Sequence, residues 1–297
     1  MAARHDGELL DPGFLRRLES LALLARKVAS GHERGERSSA QAGSGIAFAT
    51  HRPYAAGDDF RFLDWKVFAR SERLYVKQFE EERDLSVHLL LDCSGSMAQR
   101  EGAKFRRARE LAAAVGYIAL QNLDRVSLQP YADEPHARLP PLRGKNRALL
   151  LLRHLSELVA AGSTDLRRAA RSVCAHERRG GLAFVITDGF DRDGFLQGID
   201  LLRYGHIEPV VLLVVDAREA ELAELGELTL VDSESGEERV VLVSERMLER
   251  QQSARRAHFA TLARELRERN VRALELDVAL PLDRAVLELL RRTGIVA

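Results

Sequence analysis

The chain is poor in the features that tie a protein to an oxidising compartment, to lipid or to nucleic acid. Of its 297 residues only two are cysteine, Cys93 and Cys174. They supply neither a disulfide framework nor the paired spacing of a zinc site. No apolar run approaches the roughly 20 residues that span a bilayer, so no transmembrane segment is expected. The opening Met1-Ala2-Ala3-Arg4-His5-Asp6 lacks the apolar core of a secretory signal. A cytoplasmic, reducing location is the simplest expectation. Charge of one sign is also missing: 45 Lys and Arg balance 45 Asp and Glu. Nucleic acid is therefore not an expected partner, because its binders carry a basic excess. No Gly-x-x-x-x-Gly-Lys-Ser/Thr occurs, so any nucleotide chemistry must belong to a partner. His51, His88, His136, His154, His176, His206 and His258 show no zinc-type clustering.

What is present is regular alternation. From residue 85 onward, strand signals at 85–91, 125–131, 182–187, 209–215 and 271–276 are interleaved with helical signals. The helices are expected over 103–120, 145–160, 165–177, 195–204, 244–269 and 282–292. This order predicts an α/β protein with a doubly wound, mostly parallel sheet and helices on both faces. Two short β runs, 227–231 and 239–243, flank Ser233-Glu234-Ser235-Gly236 and predict a hairpin insertion near 226–243. Upstream, Asp11-Pro12 opens a helix whose stripe is Phe14, Leu15, Leu18, Leu21, Leu24 and Val28. Residues 31–46 are polar and glycine-rich and read as a mobile loop. Residues 54–61 read as a turn and 74–79 as a strand. The expected organisation is thus 1–80, comprising a helix, a mobile loop and a β-rich segment packed on the core, followed by the α/β domain at 81–297. Phe60, Phe62, Trp65, Phe68, Tyr75 and Phe79 are expected to pack on each other and on that domain. Asp64, Trp65, Lys66, Arg70 and Lys77 read as ion pairs and an aromatic anchor rather than a catalytic cluster, because unpaired charges are costly when buried.

Three loops carry chemistry. Asp92-Cys93-Ser94-Gly95-Ser96 leaves the end of the apolar run Val87-His88-Leu89-Leu90-Leu91. A carboxylate and two hydroxyls on one turn are hard oxygen donors, suited to an ion such as Mg²⁺. In open α/β sheets ligands bind just outside the carboxyl ends of the strands. Gly162-Ser163-Thr164-Asp165 opens a helix and alone reads as an N-cap. Thr187-Asp188-Gly189 follows a strand and alone reads as a turn. Cys93 has no local histidine to activate it as a nucleophile.

Taken together, Asp92, Ser94, Ser96, Thr164 and Asp188 resemble the metal-ion-dependent adhesion site of von Willebrand factor A domains. That site is an Asp-x-Ser-x-Ser loop, a Thr in a second loop and an Asp in a third. Arg52-Pro53-Tyr54, Gly57-Asp58-Asp59, Arg61, Asp64-Trp65-Lys66, Ala69-Arg70 and Val76-Lys77-Gln78-Phe79-Glu80 resemble the hallmark region of a bacterial domain-of-unknown-function family, number fifty-eight in its series. Its members carry a von Willebrand A-like domain after this region, and the similarity spans about residues 40 to 295. Many relatives have two N-terminal membrane helices, which this sequence does not show.

The resemblance implies that Ser94, Ser96 and Thr164 ligate Mg²⁺, with Mn²⁺ or Ca²⁺ as substitutes. Asp92 and Asp188 would then act through water or from behind the ligands. It also implies an open position for the Asp or Glu carboxylate of a protein partner. Family members are associated with MoxR-type AAA+ ATPases, regarded as chaperone-like remodelers. The leading expectation is a non-enzymatic Mg²⁺-dependent adaptor. The alternative is a metal-dependent hydrolase of phosphoesters, since a hydroxyl beside Mg²⁺ can become nucleophilic. Against it, no general base accompanies Ser94 or Ser96.

Overall fold

The computed structural model describes residues 8–32, 47–55, 57–80, 85–132, 137–177, 180–191, 194–220, 225–234 and 236–293. Most of the expected mobile loop, residues 33–46, lies outside them. In chain order the main elements begin with α1 (Pro12–His32), β1 (Ala47–Pro53), α2 (Trp65–Ser71), β2 (Tyr75–Glu80) and β3 (Ser86–Asp92). Next come α3 (Gln99–Gln121), β4 (Arg125–Tyr131), β5 (Leu139–Arg143), α4 (Ala148–Glu157) and α5 (Leu166–His176). Then follow β6 (Gly181–Thr187), α6 (Phe195–Tyr204), β7 (Ile207–Val215), β8 (Gly226–Val231) and β9 (Glu238–Val243). The chain closes with α7 (Glu245–Glu268), β10 (Arg272–Asp277) and α8 (Leu282–Thr293). Two compact units result: residues 32–84, and the remainder of the chain.

In the smaller unit β1 and β2 pair antiparallel. Asp64 organises the segment between them. Its carboxylate caps α2 by accepting from the Lys66 and Val67 amides, meets His51 at 2.8 Å and lies 3.6 Å from Lys77. These contacts, the His51 hydrogen bond first, hold its carboxyl low, at about 2. Asp58 pairs with Arg52 and Asp59 with Arg61. The acidic residues here are thus spent on local ion pairs and turns.

The larger unit is built on one six-stranded sheet of order β10-β7-β6-β3-β4-β5. All neighbours run parallel except β5, which is antiparallel to β4. Side chains alternate between two cores, as the two-residue period of a strand requires. Val87, Leu89 and Leu91 join one core with Phe105, Leu111 and Leu151. Leu90 joins the other with Val185, Ile199 and Val211. The sheet is therefore covered on both faces, the doubly wound α/β arrangement expected from the sequence. Helix α1 is part of this unit: Phe14, Leu18 and Leu21 lie in the first core, while Leu24 faces out. Truncating a fully buried leucine such as Leu89 would cost about 2–5 kcal/mol. Among the described residues no helix is long and apolar enough to cross a membrane.

The order of the strands fixes where a ligand can go. β3 sits between β4 on one side and β6 on the other, so the winding direction reverses at β3. The carboxyl end of β3 opens onto the crevice at that switch point. Asp92 is its last residue.

Candidate functional site

Asp92 leaves β3 fully buried. One carboxylate oxygen, Oδ1, accepts from the Ser94 amide at 3.0 Å; Oδ2 accepts from the Thr187 hydroxyl at 2.6 Å. The Thr164 hydroxyl points at Oδ2 from 3.4 Å. Ser94 and Ser96 place their hydroxyl oxygens 3.1 Å apart. The first loop continues into a 3₁₀ turn at Gly95–Ala98, after which Arg100, Glu101 and Gly102 adopt left-handed backbone before α3 runs on.

The second loop is fastened to the first by two backbone bonds besides the Thr164 contact. The Gly95 amide donates to Gly162 O at 2.7 Å and the Ala161 amide to Cys93 O at 2.8 Å. These bonds carry Thr164 to the end of β3. The expected helix cap is also there: Asp165 of the Gly162–Asp165 stretch caps α5 by accepting from the Arg168 amide at 2.9 Å. Because Asp165 takes the capping role, the Thr164 hydroxyl is left for Asp92.

The third loop follows β6, the parallel neighbour of β3. Asp188 is buried. Its Oδ1 accepts from the Phe190 amide at 3.3 Å, and its Oδ2 meets Lys104 Nζ of α3 at 2.8 Å. Lys104 is itself only 2% exposed. Its ammonium also reaches Glu219 Oε1 at 2.6 Å and stands 5.9 Å above the Phe190 ring. Glu219 in turn faces Arg255 of α7 at 3.4 Å. Sequence reasoning missed Lys104, Thr187, Glu219 and Arg255. Thr187 was within reach, being adjacent to Asp188. The other three carried no signal: Lys104 is 84 positions from Asp188, and Glu219 and Arg255 lie far along the chain from all three loops.

Burial, with the Asp188 charge as second cause, pushes the Asp92 carboxyl up to about 7. Burial likewise lifts the Tyr131 phenol well above its usual range beside Asp92 and Thr187. Cys93 is buried, its thiol facing Leu91 O at 3.6 Å; burial pushes that thiol up and leaves it without nucleophilic character. His88, on the opposite side of β3 from Leu89, bonds Ser127 at 2.8 Å and is held neutral by burial, its pKa lowered to about 4.

The donor set fits a hard divalent ion. Two cis ligands of an octahedral ion at about 2.1 Å lie about 3.0 Å apart, and the Ser94 and Ser96 oxygens are separated by 3.1 Å. Hydroxyls that donate their proton towards Asp92 keep lone pairs for such an ion. The buried, upshifted Asp92 is the group a cation would stabilise. The site opens into a cleft of about 1070 Å³ whose lining includes Ser96, Lys104, Thr164, Glu219, Arg255 and His258. The hairpin of β8 and β9 reaches this cleft: Ser233 Oγ accepts from Gln99 Nε2 at 3.1 Å, and Asp232, Ser233 and Glu234 line it. Gly95 lies so close under the hairpin tip that a Cβ there would stand 2.1 Å from Ser233 O.

Fold and site together define a doubly wound α/β protein with a buried hydroxyl-and-carboxylate cluster at its switch point. Residues 50–269 match the model of the family described as protein of unknown function DUF58, and the chain belongs to that family. The uncharacterized protein Rv1480 of Mycobacterium tuberculosis is 27% identical over 266 residues, covering 88% of this chain and 84% of that protein. The uncharacterized protein YeaD of Bacillus subtilis is 30% identical over 123 residues, covering 41% of this chain and 29% of its own. Among solved structures, the conserved hypothetical protein BatB from Bacteroides thetaiotaomicron aligns at 16% identity and a TM-score of 0.44, over 71% of this chain and 98% of that one.

Proposed function

We propose that this protein is a non-enzymatic binding module whose metal-dependent adhesion site engages a carboxylate of a partner protein. The partner class is a MoxR-type AAA+ ATPase or its client, in protein remodelling or complex maturation. One observation carries the reading: hydroxyls from two loops gather around a buried aspartate at the switch point, with 3.1 Å between the Ser94 and Ser96 oxygens. Ser94, Ser96 and Thr164 would hold Mg²⁺, with Asp92 and Asp188 behind them. Bound Mg²⁺ supplies a coordination position for an incoming carboxylate, which hard ions accept readily.

The chain's own residues do the rest. Asp92 accepts from the Thr164 hydroxyl and so leaves lone pairs of that oxygen for an ion. Thr187 fixes Asp92, its hydroxyl accepting from the Gly189 amide at 3.0 Å while donating to the carboxylate. Neutral hydroxyl ligands leave an ion more of its charge than carboxylate ligands would, which favours capture of an acidic side chain. The polar lining of the cleft, Arg255 and His258 beside Glu219, would read the surroundings of that side chain.

The test is calorimetry with Mg²⁺ and Mn²⁺, followed by co-purification with a MoxR-type ATPase with and without chelator. A metal-dependent contact that disappears in Asp92→Ala and on neutralising an acidic residue of the partner supports the reading. Phosphoesterase turnover that requires Mg²⁺ and vanishes in Asp92→Ala would replace it with a metal-dependent hydrolase.

A further inference from the structure

The third-loop carboxylate already has a cation. Lys104 extends from α3 into the buried end of the crevice, places Nζ 2.8 Å from Asp188 Oδ2 and leaves almost no surface in water. An ammonium is costly to bury without partners, and here it has two, the second being Glu219 at 2.6 Å. Glu219 sits in the turn after β7 and is tied onward to Arg255 of α7 at 3.4 Å. The charges form a chain running Asp188, Lys104, Glu219, Arg255, alternating in sign from the third loop to the helix that lines the cleft. A structural ion pair needs only one acceptor. Lys104 has one acceptor in the proposed metal site and another outside it.

We propose that Lys104 is the resident cation of this site: it holds Asp188 while no divalent ion is bound, and it lowers the site's affinity for such an ion. The inference rests on the metal-dependent reading given above. Its physical basis is repulsion in a medium of low dielectric, where a unit charge a few ångströms from a divalent ion changes binding by about tenfold or more. Arrival of the ion draws Asp188 away from Lys104, and Glu219 offers the ammonium its remaining carboxylate. The trade keeps every buried charge paired in both states. It also moves the balance of charge towards Glu219 and Arg255, so metal occupancy alters the wall of the cleft that a partner meets. Lys104 is thus a positioning residue that sets how readily the ion is gained and lost.

The experiment uses the full chain and two neutral variants, Lys104→Met and Lys104→Gln, the latter keeping a donor near Asp188. Mg²⁺ and Mn²⁺ affinities are measured by calorimetry, and thermal midpoints are measured in chelator and in Mg²⁺. Both variants are expected to bind the ions about tenfold tighter than the wild type. They should also melt lower in chelator and regain most of the loss in Mg²⁺. Lys104→Arg, which keeps the charge, should bind like the wild type. Variants that fold only when Mg²⁺ is present support the proposal, as does binding by the neutral variants alone. Unchanged or weaker affinity in folded neutral variants overturns it, as does failure to fold even with Mg²⁺, because Lys104 is then required by the fold whatever the metal. Absence of binding by the wild type and every folded variant sinks the metal-dependent reading itself, which a Lys104-specific failure does not.

Discussion

The first and third loops leave adjacent parallel strands with a buried aspartate each, and they treat it in opposite ways. Asp92 is surrounded by neutral donors: the Ser94 amide and the hydroxyls of Thr187 and Thr164. Asp188 is matched by a full opposite charge from Lys104. Two neighbouring buried carboxylates cannot both remain ionised cheaply. The structure resolves this by assigning the charge partner to one and leaving the other upshifted to about 7. The lesson is that hydrogen bonds orient a buried acid without neutralising it, whereas an ion pair does both.

Variants that exchange these roles break the comparison. The largest effect is expected from Asp92→Ala, which should abolish Mg²⁺ binding in calorimetry while leaving the circular dichroism spectrum and the metal-free midpoint unchanged or slightly raised. Retained metal affinity in this variant would contradict the site. Asp188→Ala should do the reverse to metal-free stability. It strips Lys104 of a buried partner and should cost about 3 kcal/mol in urea unfolding with chelator present. An equal cost for both variants would erase the distinction between the loops.

The pH dependence sharpens it. Folding raises the Asp92 pKa from its ordinary value of 3.8 to about 7. The metal-free folded state therefore binds the proton more tightly than the unfolded chain. That contribution is fully present below about pH 4 and is lost as pH rises to about 7. The stability of the wild type relative to Asp92→Asn should thus fall across this window, by about 4 kcal/mol. Taking the difference removes the opposite contribution of His88, whose lowered pKa makes stability fall as pH drops from about 6.5 to 4. Saturating Mg²⁺ should flatten the difference curve. The smallest effect belongs to Thr164→Ala, expected to weaken Mg²⁺ binding about tenfold with recovery in Thr164→Ser. An unchanged affinity would remove the second loop from the site.

The sheet was legible because β3, β6 and β7 are nearly continuous apolar runs of strand length, as strands buried on both faces must be. Strand β5 was not, since Pro140 and Pro141 mask it; prolines are tolerated there because it is an edge strand. α2 lies in a segment to which no secondary structure was assigned, between the turn at 54–61 and the strand at 74–79, and only its Asp64 cap, seen in three dimensions, explains it. Within the site, the five residues of the proposed set could be picked out only as a pattern, because two of the three loops alone read as a cap and a turn. Lys104 was not readable. A lysine on a charged helix normally faces water, and its partner Asp188 is 84 positions away. Its burial is decided by the convergence of loops, which no local pattern encodes.

The contact between Gly95 and the hairpin carries a further consequence. The hairpin tip rests its Ser233 carbonyl where a side chain at 95 would stand. A side-chain hydrogen bond from Gln99 to Ser233 also joins the two. A main-chain seat is indifferent to the identity of the residue resting on it. A single methyl at position 95 would instead lift the whole hairpin.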